Sequence, residues 1–160
     1  MKHQLLIDLH ACHDAQDWAE QYDTLQQAWD ACDRGDWMLW LCGKLAGPPE
    51  SASRKKLVLA TCACARLALP YVQPGELRPL QSIETAETWA RGEAGATLAD
   101  VQAAYAAAAA YAAYAAYAVY AADAYAAADA DAADARASTL KQCADIVRAA
   151  YPLAPERTQT

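Results

Sequence analysis

Leu5, Leu6 and Leu9 fall on one helical face, and in the following stretch, CHDAQDWAEQY, Ala15, Trp18, Ala19 and Tyr22 recur at spacings of three and four. That period predicts two short amphipathic helices. In TLQQAWDACDRGD, Thr24 is placed to cap a helix whose stripe is Leu25, Ala28, Trp29 and Cys32, with Gly35 in the left-handed conformation ending it and Asp36 capping the next. The bulky residues of DWMLWLCGKL are nearly continuous, which predicts burial on more than one side until Gly47, Pro48 and Pro49 stop the helix. Residues 47 to 53 read as a loop, with Ser53 capping a core helix from about Arg54 to Leu69. PYVQPGELRP reads as a connector; Pro79 suits the first turn of a further helix ending near Gly92. Glu87 and Arg91 lie four apart on that helix, and with Glu84 predict a solvated row of ion pairs.

Thr97 and Asp100 form a capping-box pattern that opens an alanine-rich stretch. From Thr97 to about Ala137 no Gly or Pro intervenes, so an unbroken helix there would be roughly 60 Å long. Its tyrosines at 111, 114, 117 and 120 step by three, so each lags the last by about 60° around a helix and no single stripe forms. Rings at every azimuth separated by alanines suit a central packing helix better than a tyrosine binding surface. Beyond it, Leu140, Cys143, Ile146 and Val147 make another stripe, and the polar end after Pro152 reads as frayed. No segment alternates with period two. The expectation is an all-α, single-domain multi-helix bundle around a long Ala/Tyr-rich helix, with one domain over 1–152 and a flexible tail over 153–160.

The net charge of -7 changes the picture by disfavouring nucleic acid and anionic membranes as direct partners, since both carry the same sign. A basic protein would be attracted. Asp123, Asp129, Asp131 and Asp134 are spread around the second half of the alanine-rich stretch and cannot all be buried unpaired, which makes them a candidate contact for such a partner beside their role in solubility. No secretory signal is read at Met1–His13, and LVLATCACA is too short to span a bilayer. A cytoplasmic location follows as the expectation, with the cysteines at 12, 32, 42, 62, 64 and 143 reduced.

Candidate chemistry is sparse. The sequence holds no Gly-rich phosphate loop, no G-x-S-x-G and no H-E-x-x-H, so no enzyme is expected. His10, Cys12 and His13 are suitable zinc donors, and His10 and His13 could share a helix face, but no fourth ligand is specified; neither metal nor cofactor is expected. Trp29, Trp37 and Trp40 could anchor an interface, although their helical spacing favours core packing.

AWDACDRGDWMLWL (Ala28–Leu41), CACARLALP (Cys62–Pro70), ETAETWARGEA (Glu84–Ala94) and the Ala-rich stretch after it together resemble the Imm-5-like immunity proteins of bacteria and phage-derived regions. The resemblance spans about Ala11 to Pro152 and implies a small helical protein that neutralises a toxin by binding it. It transfers no functional residues. Two other roles fit the same charge and composition: an anti-defence inhibitor of the anti-CRISPR type that occupies a phosphate-binding surface, and a self-associating helical module forming a homodimer or larger assembly.

Overall fold

A computed structural model describes residues 3–107 and 130–157, and among them every regular element is helical. The elements are α1 (Gln4–Asp8), α2 (His13–Ala19), α3 (Leu25–Ala31), α4 (Gly35–Leu45), α5 (Ala52–Arg66), a 3₁₀ turn (Leu69–Tyr71), α6 (Arg78–Arg91), α7 (helical over 98–107) and α8 (Ala130–Ala150). The expected all-α class is what the chain adopts. No helix of the described residues is long and apolar enough to cross a membrane. The tyrosines at 111 to 120, Asp123 and Asp129 lie outside the described residues, as does the question of one unbroken helix from Thr97 to Ala137.

The chain gathers into two compact units, Met1–Ala46 with Ala137–Thr160, and Gly47–Arg136, where the sequence reading takes 1–152 as one domain. The first change of unit falls at the Gly-Pro-Pro loop, the strongest helix-breaking signal in the sequence.

In the first unit Ala28, Trp29, Met38, Leu41 and Cys42 are buried together with Ala144 and Val147 of α8. The α8 stripe is thus centred on Ala144 and Val147, both fully buried, rather than on Leu140 and Ile146, which are half-buried. Thr24 caps α3 as expected and completes a reciprocal box with Gln27. Gly35 departs from its expected role. It is the first residue of α4, its φ is not positive, and a Cβ there would lie 2.4 Å from Cys143 Cβ and 2.7 Å from the Ala144 nitrogen. Glycine is needed here for close helix approach, not for a left-handed stop.

Arg148 of α8 donates from Nη1 to the carbonyls of Cys32 (2.6 Å) and Trp29 (3.2 Å), satisfying the open C-terminal end of α3, while Nη2 donates to Asp145 (2.7 Å). The segment after α8 is held rather than frayed: Trp29 Nε1 donates to the Tyr151 carbonyl (2.9 Å), the Ala154 N–H donates to Gln26 Oε1 (2.8 Å), and Arg157 reaches Asp8 (3.6 Å). The local pattern of a polar tail does not show these partners, a donor (Trp29) and an acceptor (Gln26) of α3 that lie 122 and 128 residues away.

In the second unit α5 packs on α6. Ser51, not Ser53, caps α5 by accepting the Arg54 N–H (3.2 Å); the Ser53 hydroxyl instead accepts the Gly47 N–H (3.0 Å) and closes the loop. Leu57, Ala60, Cys62 and Cys64 meet Ile83, Trp89 and Ala90 in the core. Glu87 is buried at 8 % exposure and receives both arms of Arg66 at 2.9 Å, with Arg91 at 3.3 Å, so the expected solvated row is in fact a carboxylate clamped between two guanidiniums. Gly92 ends α6 in the left-handed conformation at φ 71°. Thr97 and Asp100 exchange the two bonds of the expected capping box (2.8 and 3.2 Å).

Candidate functional site

The first unit contains an apolar cleft of about 280 Å³. Its walls come from the two tryptophan-bearing helical stripes: Trp18, Ala15 and Ala19 from α2, and Trp37, Trp40 and Leu41 from α4, closed below by Leu6, Leu25, Ala28 and Trp29. The short helix α2 is held in place by His3, whose Nε2 donates to the carbonyls of Ala19 (2.8 Å) and Tyr22 (3.1 Å). Trp18 and Trp37 meet nearly edge to face with centroids 6.0 Å apart, and Tyr22 continues the cluster 4.9 Å from Trp18.

Cys12, Cys32 and Asp36 also line the cleft, Asp36 being its one charged side chain. Asp36 takes Arg34 bidentately (2.8 and 2.7 Å), and that pairing holds its carboxyl below the ordinary aspartate range. The Arg34 guanidinium also lies 4.2 Å from the Trp37 ring. At the far wall Lys44 Nζ is 5.5 Å from Trp40. Cys32 is buried, which pushes its thiol up and leaves it a small hydrophobe rather than a nucleophile. The cleft can therefore desolvate an apolar group against aromatic faces.

Around it the charge is lopsided. Residues 3–33 contain Asp8, Asp14, Asp17, Glu20, Asp23, Asp30 and Asp33, and no Lys or Arg. Two of these are neutralised from the C-terminal segment, Asp33 by Lys141 (2.8 Å) and Asp8 by Arg157. Asp14, Asp17 and Asp30 are exposed and form no salt bridge among the described residues. Asp23 and Asp30 also line a shallow depression with Gln21, Tyr22 and Gln27.

The residues singled out from sequence are distributed differently. His10 sits in the turn after α1 at φ 60°, Cys12 is the extended residue before α2, and His13 begins α2, so the two histidines share no helix face. No group of three His, Cys, Asp or Glu among the described residues could hold a metal ion. Asp134 is exposed on α8; Asp131 lies on the same helix with its side chain outside the described set. Trp29 is buried, as core packing requires, whereas Trp37 and Trp40 are half-buried at the cleft. Trp18 was read only as part of a stripe, and the cation-free run 3–33 is the signal in the sequence that could have drawn attention to this face. No protein-family model, no curated protein and no solved structure matches the chain.

Proposed function

We propose that the protein is a non-enzymatic inhibitor of the immunity type, which neutralises a basic toxin by binding it directly. The observation that supports this is the pairing, in one unit, of a water-excluding tryptophan cleft with a surface whose carboxylates outnumber its cations. A toxin built to hold phosphates presents the opposite charge, and complementary fields raise the association rate and reject wrong partners. Aromatic residues beside such a surface supply the anchoring contacts typical of strong interfaces.

The test is capture from lysate of the native host on immobilised protein, at low and at physiological salt, with mass spectrometry of what is retained. The expected result is one basic protein, bound less as salt rises and released by the triple variant Asp14→Lys, Asp17→Lys, Asp30→Lys. Co-expression should then relieve that protein's toxicity. Retention of an acidic protein, or capture indifferent to both salt and charge reversal, would remove the proposal.

A further inference from the structure

The exposed carboxylate nearest the cleft on α2 is not inside it but at its edge. Taking Ala15 as the middle of the cleft-facing side of α2, Trp18 and Ala19 lie within about 60° of it, and Asp14 lies about 100° away, next to Trp18. Asp17 lies about 160° away, on the side of α2 turned from the cleft. Inside, Asp36 is already committed to Arg34, which leaves the thiols of Cys12 and Cys32 beside the indoles. Small-molecule sites run to roughly 300–1,000 Å³ and orient their ligand with polar groups placed within the pocket. This cleft, of about 280 Å³, stands at the lower end of that range, and the exposed carboxylate nearest to it, Asp14, is at its edge and not within it. An occupant that uses both extends past the cleft.

We propose that the cleft receives aliphatic side chains from one cationic amphipathic helix of the partner, whose flanking Lys or Arg reaches Asp14. This rests on the proposal above that the partner is a basic protein, and it fixes the chemistry of the segment that docks. A helix presents apolar anchors at three- and four-residue spacings with basic residues on the flanks, which matches an apolar cleft bordered by a carboxylate. The direction of the charge is set too. Lys44 stands by Trp40 on the α4 wall, so the basic flank faces α2 and not α4.

The experiment titrates the full-length protein with three synthetic peptides lacking tryptophan: an amphipathic Leu/Lys helix, the same peptide with every Leu replaced by Ala, and a Leu/Glu version. Tryptophan emission and calorimetry report binding. The Leu/Lys peptide is expected to bind with a blue shift, the Ala/Lys peptide about tenfold more weakly through loss of apolar burial, and the Leu/Glu peptide not at all. Ala15→Leu, which fills the cleft without changing charge, and Trp37→Ala, which removes a wall, should each weaken the Leu/Lys peptide by about tenfold while circular dichroism and melting show an intact fold. Asp14→Lys should weaken it and reduce its salt dependence.

Equal binding of the Leu/Lys and Ala/Lys peptides would reduce the interaction to unspecific charge and overturn the proposal. So would indole binding that quenches the cleft tryptophans while no peptide binds, which would make this a small-molecule site. The two proposals separate in the lysate experiment. Capture of a basic partner by Ala15→Leu and Trp37→Ala as well as by the wild type keeps the inhibitor reading and ends the helix-docking one; capture of no basic partner by the wild type ends both.

Discussion

Replacing Gly35 with alanine should destabilise the first unit more than any conservative surface change. The added Cβ would stand 2.4 Å from Cys143 Cβ, 2.7 Å from the Ala144 nitrogen and 2.8 Å from the Cys143 carbonyl carbon. Two of those atoms are backbone of α8, whose following turn carries the fully buried Val147, so neither helix can shift without opening the core. Overpacking of this kind costs about 1–3 kcal/mol. Against it stands the better helix propensity of alanine, at most about 1 kcal/mol in a helix interior and less at a first residue such as this. The net is a loss of about 1–2 kcal/mol, or roughly 2–8 °C in Tm for a chain of this length. Urea unfolding followed by tryptophan fluorescence is the assay of choice, since Trp18, Trp29, Trp37 and Trp40 belong to this unit and Trp89 alone to the other. The midpoint should fall with an unchanged slope. Adding Cys143→Gly should recover part of the loss, because it removes the Cβ–Cβ clash but not the backbone contacts. A Gly35→Ala protein as stable as the wild type, or more so, would refute the close approach.

Thr24→Ala removes the hydroxyl half of the α3 capping box, leaving the backbone N–H of residue 24 on Gln27, and is expected to cost about 1 kcal/mol, read as a lower urea midpoint. Arg148→Met leaves the Cys32 carbonyl without its donor and the Trp29 carbonyl with the Cys32 N–H alone (3.4 Å), and should cost about 1–3 kcal/mol by the same assay, with Arg148→Lys restoring only a part because an ammonium lacks the fork. Arg66 and then Arg91 hold the Glu87 carboxyl below its ordinary range. Its stabilising contribution is therefore complete above the unfolded glutamate value of roughly 4.3 and lost as pH falls through the lower folded value, so Glu87→Gln should flatten the stability profile in that acid window, as followed by unfolding at stepped pH.

The helices were legible because their signals are local. Thr24, Thr97, Pro79 and Gly92 do in the structure what their chemistry implies along the chain. Most of what departs from the local pattern is decided by a partner distant in sequence, although the α5 cap also moves by two residues, from Ser53 to Ser51. Gly35 looked like a helix stop until α8 was seen to press against it. Glu87 looked solvated because Arg66 lies 21 residues away. The end of the chain looked frayed because its acceptor, Gln26, belongs to α3. The cleft was half legible: the tryptophan spacing was noticed and assigned to the core, which is right for Trp29 and incomplete for Trp37 and Trp40. A helical stripe says which side chains face inward, not whether the space between two stripes is filled.

The placement of charge on α2 can be set against what folding alone would select. Asp14, Asp17 and Glu20 follow one another at spacings of three, where like charges repel across a helix turn. Asp14 gains from the positive end of the helix, since it stands in the first turn. Asp17 does not, because it lies in the last turn of this short helix, where a cation would be favoured. In the second unit Glu50, Glu76 and Glu87 each hold a Lys or Arg and Asp100 completes a cap, while Glu84 and Glu93 are exposed and form no salt bridge among the described residues. Exposed carboxylates thus occur in both units, and those of α2 serve either solubility alone or the attraction of a basic partner as well. Asp17→Lys separates the two. It would relieve both repulsions and suit the helix end, so the melting temperature should rise slightly, while association with the basic partner should slow. If Asp17→Lys stabilised the protein and left that association untouched, Asp17 would have no part in recognition.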